Sequence, residues 1–481
     1  MPGSFAKVKA FPLLALALLA VLAYLPTLAQ PFISDDYPSI RLALYYGPIS
    51  GWEAMAKDPV HRVRAITVTF PYIIHSLFGL QPAAFYSASI ILNILNCWLL
   101  FAAGRWSVIG YEVSFWAAAF FAVYEGHAEA VMWFSGVSEL LMFFFGLLSF
   151  LCWLIFLEKE TARLRWLASS ILFFLPALLS KESAVIFIAL FALPLLFPKA
   201  RLRQSLYLLP HISISVVYVA VVFMALSHSF RFQDQSFVLS APFWLTWTKS
   251  YGAMLWFWGL TATISIVLWS RSDRNQRDAE TMKINHEETK GAKKIEDRGS
   301  RIEDRGSRIE DRGSTIGPSL EGRSSILDLR SSIFISFLWI GIGFIPYMFV
   351  DYMHRIPSRQ IYLASAGLAW LMGVAIVMMK ERYWKNHKRI VTVVLLIILL
   401  HNVVYMWTKK REHFLGRAEP TEQLLSLARS VNGPIFVKCF PLAQIHAEAA
   451  LELILNKPAS DLIWKEEEAA KRPPAATFCY K

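Results

Sequence analysis

Two adjacent carboxylates, Asp35 and Asp36, stand in the stretch Phe32-Ile33-Ser34-Asp35-Asp36-Tyr37, just past the first long apolar run, Phe11 to Ala29. Three chemistries are open to such a pair. Asp favours the start of a helix, where its side chain accepts backbone N–H groups, and a helix from Pro38 onward would use one. Two carboxylates can hold a divalent metal. One can serve as a general base while the other positions an acceptor. The apolar run before the pair and the aromatics around it put it at a membrane surface.

The elements that must position this pair are membrane spans. The chain has 481 residues, 56% of them hydrophobic and only 17% charged, with a mean hydropathy of +0.43. That excludes an ordinary soluble globular protein. Apolar runs of about 18 or more residues predict transmembrane helices. About eleven are expected, near 11–29, 84–103, 113–131, 138–157, 165–180, 183–198, 205–227, 250–270, 332–350, 361–379 and 390–407. The expected class is an all-α polytopic membrane protein. The first run is long for a signal peptide, and no small-residue cleavage site precedes Gln30, so it reads as an uncleaved first span. The net charge of +12 comes from basic residues in short loops between spans, as cytoplasmic anchors do, so no nucleic-acid partner is expected.

Eleven spans put Lys7 and Lys9, Arg105, Lys159 with Arg163 and Arg165, Lys199 with Arg201 and Arg203, Arg271 with Arg274, and the Lys380–Arg389 cluster on one side. The positive-inside rule makes that side cytoplasmic. Lys409-Lys410-Arg411 falls on the other side and breaks the rule once. The outer side then holds residues 30–83, 125–137, 180–183, 228–249, 351–360 and the tail from 408. Nearly all unusual membrane-edge polar residues gather there: Asp35, Asp36, His61, Arg62, Arg64, Glu125, His127, Glu129, Glu139, Lys181, Glu182, Asp351, His354, Arg355 and Arg359. Charge at membrane depth is expensive, so this convergence predicts a functional cavity. The plainer alternative is a set of solvated loop residues.

Four segments follow. Residues 1–270 form an N-terminal transmembrane module with a long first outer loop, 30–83. In that loop Tyr37 to Ala56 is expected as an amphipathic surface helix, and Ile66 to Leu80 as a re-entrant or interfacial one. Residues 271–330 carry the repeat Ile295-Glu-Asp-Arg-Gly-Ser-Arg301, again from Ile302 and from Ile309. One apolar position and a glycine in each seven argue against a coiled coil and for a disordered cytoplasmic insertion. Residues 331–407 complete the spans. Residues 408–481 read as a small α/β appendage outside the cytoplasm, with a helix from Thr421 to Val431, a strand from Pro434 to Phe440 and a helix from Leu442 to Leu455. Cys439 and Cys479 lie in it and can pair if it faces an oxidising compartment. Cys97 and Cys152 lie inside apolar runs as packing residues.

The chain resembles the GT-C superfamily of polytopic glycosyltransferases, among them the protein O-mannosyltransferases and the lipid A aminoarabinose transferases. Ser34-Asp35-Asp36-Tyr37 stands where those proteins carry an acidic pair after the first span. His61-Arg62-Val63-Arg64 through Gln81-Pro82 is similar to their Arg-Pro segment ending in Phe-Gly-x-x-Pro, although no Pro follows the Arg here. Glu125-Gly-His127-Ala-Glu129 through Trp133, Ser138 and Glu139 resembles the second outer loop. Ser180-Lys181-Glu182-Ser183 resembles the Ser-Lys-Glu element, and Arg359-Gln-Ile-Tyr362-Leu-Ala-Ser365 the late Arg-x-x-Tyr element. The likeness covers roughly residues 10–380.

That resemblance implies a GT-C-like fold and an inverting transfer of a hexosyl or pentosyl group from a polyisoprenyl-phosphate donor. The acceptor would be a protein, lipid or glycan. It makes the acidic pair the expected source of the base; Asp36 is taken ahead of Asp35 only because Tyr37-Pro38 should fix its backbone, and the choice between the two stays open. Substrate contacts would come from Arg62, Arg64, His127, Glu129, Glu139, Lys181, Glu182, Arg359 and Tyr362, with Lys181 and Arg359 on the departing phosphate. Plainer roles stay open: Lys181 pairing with Glu182, Arg359 as an interfacial anchor, His127 as a packed loop histidine. No cofactor is required and no metal ligand is assigned, although a divalent metal is compatible. The expected site is a bacterial cell inner membrane, with the chemistry on its outer face. Rival functions are a transporter, a non-catalytic scaffold and a glycan ligase or polymerase. A transporter would carry acidic residues near mid-membrane and related halves, and neither is seen. A scaffold leaves the outer-face cluster unexplained, and the acidic pair after the first span favours transfer over ligation.

Overall fold

The computed structural model describes residues 10–47, 63–159, 163–196, 202–226, 243–271, 321–348 and 358–480. Among them eight helices are long and apolar enough to cross a membrane: Ala10–Ala29, Pro82–Arg105, Phe134–Glu158, Arg163–Ser180, Gln204–Met224, Phe243–Arg271, Leu329–Tyr347 and His387–Ser430. Three shorter apolar helices accompany them, Ala65–Phe78, Tyr111–Val123 and Glu182–Leu196. The chain is an integral, predominantly α-helical membrane protein. Large apolar side chains such as Leu14, Leu18, Val216, Val217, Leu396 and Leu400 point outward. Such faces suit lipid and not water. Inside, where lipid offers no hydrophobic drive, packing and satisfied polar groups hold helices together. Trp339 and Trp370 meet edge to face at 4.8 Å, and the Trp339 indole donates to the Leu363 carbonyl at 2.9 Å.

One expected span is shorter than the sequence suggested. The run at 113–131 is broken because Tyr124 is extended (ψ 121°), so the helix Tyr111–Val123 stops there. Its 13 residues rise only about 20 Å, short of the ~30 Å hydrocarbon layer. Of the expected surface helix 37–56 the structure describes Asp36–Tyr46, which ends at Gly47 with φ +60°, a conformation that favours glycine; residues 48–56 lie outside the described residues. The segment expected as insertion lies outside the described residues from 272 to 320, and the next helix, Glu321–Phe344, begins inside its predicted bounds.

The stretch Ser365–Tyr405 is two helices joined across a kink at one non-helical residue, His387 (φ −133°, ψ 37°). Its contacts explain the break. Ser365 bonds His127, Lys380 pairs with Glu112, and Asn402 accepts from the Glu125 backbone. Glu112 and Glu125 flank opposite ends of Tyr111–Val123, so the chain crosses, turns at His387 and returns. Arg105 and Glu158 pair at 2.8 Å and join the ends of the spans Pro82–Arg105 and Phe134–Glu158.

The last span passes through a wide turn, Met406–Lys410, into the helix Arg411–Ser430 without leaving helical geometry, so the appendage grows out of the membrane as a continuation. Beyond it lie β1 (Ile435–Cys439), the helix Gln444–Leu455, β2 (Leu462–Ile463), the helix Glu466–Lys471 and β3 (Ala476–Cys479). The strands run parallel in the order β2-β1-β3, with Ile435 opposite both Leu462 and Ala476. Parallel neighbours need crossovers, which the two helices supply. Cys439 and Cys479 form a disulfide across β1 and β3, with Cα atoms 4.5 Å apart.

Candidate functional site

The candidate site is built on the turn Ile33–Asp36. Ser34 adopts φ +42°, uncommon for a residue other than glycine. That turn brings the Asp36 N–H to the Ile33 carbonyl at 2.9 Å, and the Asp36 carboxylate back to the Ile33 N–H at 2.9 Å. The other carboxylate oxygen accepts from the Ser135 N–H at 2.8 Å and the Ser135 hydroxyl at 2.9 Å. Tyr86 adds a hydroxyl donor at 3.2 Å. Asp36 is fully buried, and burial pushes its carboxyl up to about 6 against the backbone N–H bonds that lower it. It ties the segment after the first span to the start of the span Phe134–Glu158. Next to Ser135, Gly136 lets the backbone of Glu129 and Ala130 pack closely, since a Cβ there would collide with the Glu129 carbonyl.

Asp35 faces the other way. Its side chain is 42% exposed, and one oxygen meets His446 Nε2 at 2.6 Å. Among the described residues the other oxygen has no hydrogen bond. Burial raises its carboxyl, but the His446 bond and the charges of His446, Arg359 and Arg417 prevail and hold it below the usual range. The two guanidiniums lie over the Trp133 ring, Arg417 at 4.0 Å and Arg359 at 4.7 Å from its centroid. Stacking of this kind suits the flat, weakly hydrated guanidinium. Trp133 is itself pinned, its indole N–H donating to the Ile33 carbonyl at 3.2 Å. Glu129 orders the pair: it accepts from the Arg359 backbone N–H at 3.1 Å and lies 3.9 Å from the Arg417 guanidinium.

A second polar cluster joins the short helices. Lys181 makes an ion pair with Glu139, both nearly or fully buried, and Tyr347 donates to Glu139 at 3.1 Å. Arg64 bonds Glu182 through Nε at 2.9 Å and again through the guanidinium end. Lys181 therefore pairs with Glu139 and not, as the plainer sequence reading had it, with Glu182. His127 and Tyr362 are closed off. His127 is fully buried, burial lowers its imidazole to about 3, and Nε2 meets the Ser365 hydroxyl at 2.6 Å. Tyr362 is fully buried too and donates to Asn93 at 2.7 Å while accepting from Asn96 at 3.2 Å. Neither of the two presents an atom to an open site. Arg62 lies outside the described residues, as do His61, Asp351, His354 and Arg355.

The appendage reaches this site. Besides His446, Glu422 accepts from the Tyr37 hydroxyl at 3.0 Å and Glu452 from Arg41 at 2.9 Å. Arg417, His446 and Ser135 were not among the expected site residues. The first two lie in the tail, hundreds of residues from Asp35, and no spacing rule links them. Trp133 stood in the quoted second-loop segment without a role. Among the described residues no group of three or more His, Cys, Asp or Glu side chains is placed to hold a metal ion. Chemically, the site offers an ionised carboxylate oxygen able to take a proton beside two cations able to hold an anion.

No family model and no curated protein matches the chain. Among solved structures it is similar to the crystal structure of an oligosaccharyltransferase of Archaeoglobus fulgidus tethered to an acceptor peptide, at 11% identity and TM-score 0.46 over 92% of this chain. The likeness spans 63% of that oligosaccharyltransferase. It is also similar to ArnT of Cupriavidus metallidurans bound to undecaprenyl phosphate, at 14% identity and TM-score 0.45 over 98% of this chain and 90% of that one. At this degree of likeness the chain's own residues carry the functional reading.

Proposed function

We propose that this chain is an inverting glycosyltransferase of GT-C type. It moves a sugar from a polyisoprenyl-phosphate donor to a protein, lipid or glycan acceptor at the outer face of the membrane. The observation that carries the reading is the half-exposed Asp35 carboxylate beside Arg359 and Arg417 on Trp133. Asp35 takes the base role and Asp36 the structural one, because all the Asp36 contacts face inward while one Asp35 oxygen is unengaged among the described residues. The acceptor O–H gives its proton to Asp35 as its oxygen bonds the anomeric carbon. The bond from that carbon to the phosphate oxygen breaks, and the electron pair leaves with the phosphate, which Arg359 and Arg417 hold. Glu129 orders these cations. The Lys181–Glu139 and Arg64–Glu182 pairs brace the short helices around the donor path. His127 and Tyr362 stiffen the core behind it. No cofactor is needed. The Cys439–Cys479 disulfide supports an appendage facing an oxidising compartment, such as the outer side of a bacterial inner membrane.

The test is release of polyprenyl phosphate from a panel of lipid-linked sugars by the protein in lipid nanodiscs, with candidate acceptors present. Wild type turns over, and Asp35→Asn loses about 10²–10⁴-fold, the usual share of a general base. Equal turnover by the variant moves the base elsewhere. No release by wild type from any donor sets the transferase reading aside.

A further inference from the structure

We propose that His446, carried by the appendage, is a positioning residue for Asp35, so that the appendage completes the catalytic site. The proposal rests on the transferase reading for its catalytic meaning, but its physical content stands on the dyad. His446 faces acceptors at both ring nitrogens: Nε2 meets the Asp35 carboxylate at 2.6 Å and Nδ1 meets the Ala443 carbonyl at 2.9 Å. A neutral imidazole has one N–H, so satisfying two acceptors requires the imidazolium. The cation therefore sits against one Asp35 oxygen, keeps that carboxylate ionised, and fixes its plane. The other oxygen is left to meet the acceptor hydroxyl.

The ring is placed by a docked element. Ala443 and His446 lie at the start of the helix Gln444–Leu455, where the His446 backbone N–H also bonds the Ala443 carbonyl at 3.0 Å. The same helix holds Arg41 through Glu452, and the neighbouring helix holds Tyr37 through Glu422. Three contacts within seven residues, Asp35 to Arg41, thus all go to the appendage. The charged groups facing Asp35 are His446 from that helix, Arg417 from Arg411–Ser430, Arg359 from the Ser358–Ile361 turn and its neighbour Asp36. The imidazole is faced by Asp35 and the Ala443 carbonyl. His446 neither gives nor takes a proton in the transfer. The acceptor proton ends on the free Asp35 oxygen, and the imidazolium orients the group that receives it.

A purely mechanical docking role would give the same contacts, so the test reads the Asp35 charge directly and without substrate. Carbodiimide labelling, which needs a protonated carboxyl, is followed at the Asp35 peptide by mass spectrometry across the acidic range in nanodiscs. Hydrogen exchange over Gln444–Leu455 checks that the appendage stays docked. His446→Gln should raise the labelling midpoint by about one pH unit or more, the scale of losing an adjacent cation. His446→Arg, which restores a cation, should return it toward wild type, and the acidic limb of kcat/KM should follow the same order. An unmoved midpoint in His446→Gln overturns the proposal, as does an equal rise in both variants. Because labelling needs no donor, failure of the transferase reading would show separately as absent release by wild type.

Discussion

Asp36→Ala should destabilise the protein far more than Asp35→Ala, although the two carboxylates are neighbours. Asp36 serves two backbone donors, Ile33 at 2.9 Å and Ser135 at 2.8 Å, and two hydroxyls, Ser135 at 2.9 Å and Tyr86 at 3.2 Å. The hydroxyls can rotate, and Tyr86 already donates to the Pro31 carbonyl at 2.8 Å. The two N–H groups cannot. Leaving each buried and unpaired costs about 1–3 kcal/mol, so the pair costs roughly 4 kcal/mol. Asp35 loses one bond to His446 at a half-exposed position, a change of about 1 kcal/mol. Thermal unfolding is read with a thiol-reactive dye, since Cys97 and Cys152 are buried and the other two cysteines are disulfide-bonded. In a chain this long each kcal/mol moves Tm by on the order of 1–2 °C, extending the size trend of smaller proteins. Asp36→Ala should fall by several degrees and Asp35→Ala by little. Equal Tm values for Asp36→Ala and wild type would refute the clamp, and with it the assignment of Asp35 as the exposed member.

The buried Glu139–Lys181 pair gives a second expectation: Glu139→Ala should cost about 3–5 kcal/mol by stranding the lysine, while Glu139→Leu with Lys181→Met should recover most of it. A double variant no more stable than the single one would show that the loss lies elsewhere. Arg359→Ala and Arg417→Ala should each lower kcat/KM for a lipid-linked donor about 10–100-fold, the worth of one charge-assisted bond, and Lys in place of Arg should restore little because it cannot stack flat on Trp133. Full activity of either alanine variant would remove that arginine from the donor site. Docking of the appendage should also depend on pH. Asp35 is held low, so its share is present above about 4 and fades as pH falls through its folded value. His446 is held high by its bonds despite burial, so its share is complete below about 6.5 and fades as pH rises through its folded value. Hydrogen exchange over Gln444–Leu455, corrected for intrinsic rate, should be slowest between those limits, and a flat profile would deny the linkage.

The membrane class was legible because hydrocarbon imposes a length and a polarity that any 20-residue window reports. Loop charges alone put Asp35, Asp36, Glu129 and Arg359 on one expected side, and the fold does bring them near one another. The turn between 380 and 390 was marked by its basic cluster, where His387 breaks the helix. Shorter features left less pattern. The strands Leu462–Ile463 and Ala476–Cys479 have too few residues for a period of two, and the break at Tyr124 is hidden in apolar sequence. What local sequence held no record of was the division of labour within the acidic pair. Adjacent aspartates look alike in a chain, but the Ser34 turn sends Asp36 inward to backbone donors and Asp35 outward to His446, Arg359 and Arg417. Likewise His127 and Lys181 read equally as substrate contacts until packing buried one among hydrogen-bonded side chains and paired the other with Glu139. Composition and spacing settle which solvent a segment must face. Which carboxylate stays reachable depends on partners up to 411 residues away, which only the folded chain brings within hydrogen-bond range.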